Sequence, residues 1–272
     1  MHSSFPLKKN RLGRLCTVLV PLTAYAGAAL AADDSLLGDK TDMSVGVGAL
    51  YAPRYAGSKD GRLQVVPVLS VQRGVLFLDT SRGAGVQFQT SWGLYGSQSM
   101  YYDLGRLERD SVWRPGSRKL AGMGDVRGSF TTRTLLVQDF GHGVSASAEA
   151  EFALRDGAQR NRFRAGMEFE VLNAGQEKVV MDLDAHWGDS RYNQSYFGVT
   201  SEQAARTGFQ TFRATGGLYA GSLGATWEHH IDTHWSTSLQ ASSMRYVDNA
   251  ARSPLVKRRD AFTAVAAITY TY

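Results

Sequence analysis

Hydrophobic and polar residues alternate along much of this chain with a period of two. Residues 144–152 place apolar side chains at every even position and Ser or Glu at every odd position. The same period recurs in residues 86–94, 163–171, 179–187 and 260–272. Such alternation is the signature of a β-strand with one apolar and one polar face. The chain is therefore predicted to be all-β.

The alternating stretches are long, and the connections between them alternate in length. Membrane-spanning strands need about 9–11 residues, whereas strands of soluble sandwiches average about 5–6. Twelve strands are predicted, with ten or fourteen as alternatives, at residues 43–52, 62–72, 74–80, 84–91, 93–103, 125–138, 143–154, 160–172, 178–188, 216–231, 235–247 and 258–272. Short turns alternate with long loops at residues 104–124, 189–215 and 248–257. This pattern is typical of a transmembrane antiparallel β-barrel of the bacterial outer membrane, with long extracellular loops and short periplasmic turns.

The first 31 residues are predicted to be a secretory signal peptide. Lys8–Arg14 carries four positive charges, an apolar run follows, and the residues ending at Ala31 fit the small-x-small rule for cleavage. An N-terminal membrane anchor is the alternative interpretation. Cleavage leaves a short periplasmic segment at 32–42 and a barrel at 43–272. It also removes Cys16, so the exported chain must be stable without disulfides.

The charge of the exported chain is close to neutral. The whole sequence has 30 Lys and Arg against 25 Asp and Glu; four of the basic residues precede residue 32, which leaves a formal +1. This balance indicates no nucleic-acid partner. The loop Asp103–Gly122 holds five basic and three acidic residues, so it either contacts anionic lipopolysaccharide or is simply solvated.

Charged residues occupy the polar faces of four neighbouring predicted strands. They are Arg127, Arg133, Glu149, Glu151, Arg164, Glu168, Glu170, Asp182 and Asp184. Since the apolar faces must meet lipid, these side chains are predicted to form a cross-strand charge ladder in the lumen. Two interpretations stay open: salt bridges that fill and stiffen a narrow barrel, or the lining of a charged pore or ligand-binding lumen.

Aromatic residues near strand ends are predicted to lie at the membrane interfaces. They are Trp92, Trp187, Tyr219, Trp227, Trp235, Tyr270 and Tyr272. The last strand is predicted to pair with the first, near Met43–Tyr51, because a barrel has no free edge. Its lipid-facing row is Phe262, Ala264, Ala266, Ile268, Tyr270 and Tyr272. We interpret this aromatic-ended row as the insertion signal that the barrel assembly machinery reads.

No motif predicts catalysis, a cofactor or a metal site. Residues 228–234 (EHHIDTH) are rich in ligand types, but His229 and His230 point to opposite faces of a strand, so an exposed periplasmic turn is predicted. No G-x-S-x-G motif is present. Lipid hydrolysis by Ser and His on neighbouring strands is the enzymatic alternative.

In one long loop, Thr200 and Gln203 predict a capping box that opens a short helix over the barrel.

Several segments together resemble the MltA-interacting protein (MipA) / OmpV family of outer-membrane proteins. The matching segments are residues 46–58, 120–126, 191–212, 214–227 and 251–256. The resemblance implies a non-enzymatic scaffold for a murein lytic transglycosylase and a bifunctional penicillin-binding protein. A channel for small solutes or antibiotics and a surface adhesin are the alternatives.

The resemblance transfers no catalytic residues. The positions that match the family pattern, as expected determinants of turns and loops, are Gly57, Ser58, Tyr196, Phe197, Gly198, Ser253 and Pro254. The family commonly ends in Phe, whereas this sequence ends in Tyr272.

Overall fold

The computed structural model describes residues 34–154 and 160–272, and the predicted signal peptide lies outside these ranges. Within them the chain forms twelve strands. They are β1 Thr41–Pro53, β2 Gly61–Arg73, β3 Leu76–Asp79, β4 Gly83–Gln89, β5 Leu94–Asp103, β6 Ser129–Gly141, β7 Val144–Ala153, β8 Asn161–Ala174, β9 Glu177–Gly188, β10 Gly217–His230, β11 Trp235–Tyr246 and β12 Asp260–Thr271. The helices are α1 Asp34–Leu37, α2 Ser190–Phe197, α3 Ser201–Arg206 and α4 Asp248–Ala251, with a 3₁₀ turn at Arg118–Leu120.

The strands close into one antiparallel barrel in which each strand pairs with its neighbours in sequence and β1 pairs with β12. The closing register runs from Ser44 opposite Thr271 to Tyr51 opposite Ala264. The hydroxyls of Ser44 and Thr271 also lie 2.8 Å apart. The predictions of twelve strands and of a last strand paired with the first are confirmed.

The two faces of the barrel have opposite chemistry. Large apolar side chains point outward, and Leu63 and Val65 on β2 are 68% and 59% exposed. Charged and small polar side chains point inward, where Glu151 on β7 is 1% exposed. An apolar outer face around a polar interior is the arrangement that a lipid environment requires.

The connections at the two ends of the barrel differ in length. Residues 74–75, 90–93, 142–143, 175–176 and 231–234 form short turns at one end, which by analogy with other such barrels is periplasmic. The other end carries the three-residue turn 80–82 and the longer connections 54–60, 104–128, 189–216 and 247–259. No helix in the described ranges is long and apolar enough to cross a membrane.

The sixth predicted strand begins too early. It was expected from residue 125, but β6 begins at Ser129. Val126 instead forms an isolated bridge with Arg106, in which the two residues exchange backbone hydrogen bonds of 2.8 and 3.0 Å. Arg127 is therefore an exposed loop residue and takes no part in the lumen. The prediction that it lies on a strand beside Arg133 is wrong.

Candidate functional site

An ion-pair network crosses the barrel interior between β6, β7 and β8. Glu151 accepts a hydrogen bond from Arg133 Nε at 2.9 Å and another from Arg162 Nε. Tyr101 on β5 contacts both arginines: its hydroxyl accepts from Arg162 Nη2 at 3.0 Å, and its ring centre lies 4.5 Å from the guanidinium carbon of Arg133. Because a buried charge needs close partners, this carboxylate depends on its two arginines.

A second network lies next to the first, closer to the periplasm. Arg164 Nη2 lies 2.5 Å from Oε2 of Glu149 on β7, and Arg164 Nη1 lies 3.2 Å from Oδ2 of Asp184 on β9. The side chains are 13%, 11% and 8% exposed, so little water reaches these charges. Gly166 makes room for this arrangement, since a Cβ there would collide with the Asp184 carboxylate. The two networks tie four consecutive strands together from inside.

The other predicted ladder residues lie elsewhere. Glu168 on β8 and Asp182 on β9 are register partners, so two carboxylates stand directly opposite each other. Glu170 lies at the periplasmic end, where its carboxylate pairs with Lys178 at 3.3 Å. The ion pairs that join Arg133, Arg162 and Arg164 to their carboxylates therefore lie in the outer half of the ladder.

Sequence reasoning missed two interior residues of the networks, Tyr101 and Arg162. His186, on the polar face of β9 as its alternation predicts, is the register partner of Arg164, and its Nε2 lies 2.8 Å from the Ser222 hydroxyl on β10. The signal for Arg162 was present, because it lies two residues before Arg164 and so on the same face of β8.

Several side chains that point into the barrel are buried at the level of these networks. Leu135 points inward from β6 between the charged residues and is 0% exposed. Phe77 on β3, which stacks under the Arg82 guanidinium at 4.3 Å, is 5% exposed. In a wide, water-filled pore such inward side chains would be exposed. The geometry matches the first interpretation of the ladder, a packed and stiffened barrel interior.

The long connections pack against one another over the outer end of the barrel. We call residues 54–60, 104–128, 189–216 and 247–259 the loop cap. One apolar cluster takes residues from all four segments: Tyr55, Leu120, Met123, Val199 and Leu255, each at most 3% exposed. Burial of this kind stabilises the cap by about 25 cal/mol for each Å² of apolar surface removed from water.

A second apolar cluster anchors α2 to the barrel wall. Phe197 packs against Tyr219 of β10 and Tyr246 of β11, with ring centres 5.7 Å apart in each pair. Tyr219 was predicted to lie at the membrane interface, and that prediction is wrong. A register shift between Leu218 and Ala220 turns its side chain inward, where it is 6% exposed.

The predicted capping box is confirmed. Thr200 N donates to Gln203 Oε1 at 2.9 Å, and Gln203 N donates to Thr200 Oγ1 at 3.2 Å, which opens α3. Gln203 Nε2 also donates to the Met123 carbonyl at 2.6 Å. This contact fastens α3 to the β5–β6 connection within the loop cap.

The periplasmic end carries aromatic side chains around the closing strand. Tyr270 lies between Trp235 and Tyr272, with ring centres at 5.1 and 4.9 Å. Tyr272 N donates a hydrogen bond to the Met43 carbonyl at 3.0 Å. Backbone pairing between the first and last strands therefore extends to the last residue of the sequence. In the adjacent turn Asp232 accepts hydrogen bonds from the backbone N–H groups of Trp235 and His234, which lowers the pKa of its carboxyl group.

The family described as MltA-interacting protein MipA matches residues 45–272. The chain belongs to this family. The match covers the barrel from β1 onward and confirms the resemblance found in the sequence. With the closed barrel and its apolar outer face, it places the chain in the outer membrane of a Gram-negative bacterium. No curated protein matches the sequence.

Solved outer-membrane barrels show only a distant likeness to this MipA-family chain. An outer-membrane channel from Pseudomonas putida F1 is 12% identical, with a TM-score of 0.48, over 89% of this chain and 98% of that one. An anion-selective porin from Comamonas acidovorans is 11% identical, with a TM-score of 0.33, over 86% and 99%. At this level of sequence and structural similarity, no functional property of either protein can be assigned to this chain.

The positions predicted from the sequence to match the MipA family pattern come together in the loop cap, although they are far apart in sequence. Ser253 Oγ donates to the Phe197 carbonyl at 2.5 Å. The Gly57 carbonyl accepts from Lys257 N at 2.8 Å. Gly57 has a positive φ of 86°, and a Cβ there would collide with Val256. These positions therefore form one junction between three loops.

Proposed function

We propose that the protein is a non-conducting, non-enzymatic scaffold in the outer membrane that binds a murein lytic transglycosylase at its periplasmic end. A bifunctional penicillin-binding protein is the expected second partner. The family description, an MltA-interacting protein, supplies the partner class. The structural observation that supports a scaffold is the packed interior, where Leu135 is 0% and Glu151 1% exposed.

The surface available to a periplasmic partner is the rim formed by residues 34–40 and the five short turns. The α1 segment rests on the first turn, since Val75 N donates to the Leu36 carbonyl at 3.0 Å. Leu36 and Ile231 are 50% and 46% exposed at this rim. Exposed apolar side chains next to polar turns are typical of protein contact surfaces.

Site-specific photo-crosslinking in intact envelopes tests this proposal. A photoreactive amino acid at Gln176 or Thr233, both exposed in rim turns, is expected to yield a covalent adduct with a murein lytic transglycosylase. The same amino acid at Glu202 or Gln210, exposed in the loop cap at the opposite end, is the matched control and should yield none. Mass spectrometry identifies the adducts. Absence of any peptidoglycan enzyme from the rim adducts would count decisively against the scaffold.

The channel alternative differs from the scaffold in its electrical behaviour. Because buried side chains such as Leu135 and Phe77 point into the barrel, we expect purified protein to give no stable conductance steps in planar bilayers. Stable steps would contradict the non-conducting scaffold. A change in ion selectivity on neutralising Glu149, Glu168 and Asp182 would then assign the current to this lumen. An open porin reconstituted in the same bilayers is the control.

A further inference from the structure

The loop cap borders an open cavity of about 1270 Å³ between the β5–β6 and β9–β10 connections and the start of β8. Among the residues that the structure describes, five arginines line it, against one carboxylate, that of Asp125. The arginines are Arg106, Arg127, Arg160, Arg191 and Arg213. The proposed function makes no use of this cavity, which lies at the end of the barrel opposite the periplasmic rim.

Two of these arginines form the buried floor of the cavity. Arg106 and Arg160 are 2% and 6% exposed. Arg106 Nη1 donates to the Tyr196 carbonyl at 3.3 Å, and Arg160 Nη2 donates to the Arg127 carbonyl at 3.0 Å. Among the described residues no carboxylate pairs with Arg106, and the Asp103 carboxylate lies 3.4 Å from Arg160. Counted over the described residues, the floor therefore carries more positive charge than its partners neutralise.

The buried guanidinium groups also retain unused donors. In the described part of the chain, Nε of Arg106 and Nε of Arg160 are buried without a hydrogen-bond partner. Burial lowers the pKa of Arg106, in keeping with a charge that lacks compensation. A buried donor without an acceptor is unfavourable, so these groups gain stability when an anion supplies one.

The rim of the cavity is exposed and polar. Arg127 and Arg213 are exposed there, which leaves the cavity accessible from the outer side of the membrane. The hydroxyls of Ser195 and Thr211 line the same wall. The cavity thus combines buried positive charge at its floor with exposed positive charge and neutral hydrogen-bonding groups at its mouth.

We propose that this cavity binds a phosphorylated saccharide. The planar guanidinium fork matches phosphate oxygens, and hydroxyl groups suit the uncharged part of a sugar. A volume above the range of about 300–1,000 Å³ usual for small-molecule sites leaves room for more than one sugar ring. Such a group is available from the phosphate-bearing core of lipopolysaccharide in the outer leaflet or from a free sugar phosphate.

Titration of the detergent-solubilised barrel with glucose 1,6-bisphosphate tests the proposal. Saturable binding that weakens with added salt is expected. Replacing both Arg127 and Arg213 by Gln should weaken the affinity for the bisphosphate by about tenfold or more. Each replacement removes a charged hydrogen-bond donor to a phosphate group, and such bonds contribute more to affinity than neutral ones. The double variant Arg109→Gln, Arg252→Gln removes two exposed arginines outside the cavity and should bind normally. Heat-modifiable migration checks that each variant is folded.

Competition separates the two sources of the ligand. Displacement of the bisphosphate by lipopolysaccharide micelles, but not by the same lipopolysaccharide stripped of phosphate, assigns the lipid core. If neither form of lipopolysaccharide displaces the bisphosphate, the ligand is a soluble sugar phosphate. No saturable binding of the bisphosphate, or an equal loss in the Arg109 and Arg252 control, would overturn the proposal.

Discussion

Glu151→Gln is expected to lower the free energy of unfolding by about 3–5 kcal/mol, the usual cost of removing one partner from a buried ion pair. Glu151 is 1% exposed, and its two oxygens bind Arg133 and Arg162. The neutral amide keeps the shape of the side chain but leaves two guanidinium groups without their shared counter-charge. Urea unfolding of barrel refolded in detergent, followed by tryptophan fluorescence, gives the free energy.

Glu170→Gln is the matched control for this experiment. Its carboxylate also pairs across strands, with Lys178 at 3.3 Å, but the two side chains are 32% and 28% exposed. Water screens such a pair, so its loss should cost about 1 kcal/mol or less. Equal losses in the two variants would mean that the buried network adds nothing beyond an ordinary surface ion pair.

The strands could be predicted because their signal is local. A period of two is visible within nine residues, and lipid outside the barrel makes the apolar face continuous. The same period of two places Arg162 in the lumen, on the same face of β8 as Arg164. Applying it to every residue of β8 would therefore have found Arg162 as well. Pairing of β1 with β12 follows from closure alone.

The errors lie where local geometry departs from that period. The strand predicted at residues 125–138 includes Arg127, yet the backbone of the preceding residue Val126 pairs with Arg106 in a loop. Tyr219 was placed on the lipid face because a single sequence does not reveal the register shift beside it. One extra residue reverses the face of every position that follows until the register is restored.

The loop cap was beyond prediction because its contacts are not local. Ser253 and Phe197 are separated by 56 residues, and their hydrogen bond joins two different connections. The capping box at Thr200 and Gln203 could be predicted, since it involves four consecutive residues. Where that helix docks depends on the Met123 carbonyl, 80 residues away. The arginine cavity, bordered by separate loops, was missed for the same reason.

The two proposed sites lie at opposite ends of a stiffened barrel, which allows them to be tested separately. Substitutions at the periplasmic rim should leave anion binding in the loop cap unchanged, because the ion-pair networks lie between the two regions. A variant that loses partner crosslinking but keeps anion binding is affected at the periplasmic rim, and the reverse result indicates the loop cap.

Removing Tyr272 is expected to reduce the assembled, heat-modifiable barrel in outer membranes to a small fraction of its normal amount. Ile268, Tyr270 and Tyr272 share the lipid-facing row of the closing strand, and Tyr272 is 68% exposed. Its backbone N–H makes the hydrogen bond to Met43 at the end of the β1–β12 seam. Without Tyr272 the strand loses both this bond and the aromatic end of its outer row.

A one-residue insertion separates the aromatic signal from simple shortening of the strand. Placing a Ser between Tyr270 and Thr271 keeps every residue but turns Tyr272 to the inner face, because side chains alternate along a strand. We expect this variant to assemble as poorly as the deletion, whereas Tyr272→Phe, which keeps an outward aromatic ring, should assemble normally. Separation of unheated and heated outer-membrane samples on gels measures the assembled fraction. Normal assembly of the insertion variant would show that the direction of the terminal ring is irrelevant and that the row is not an insertion signal.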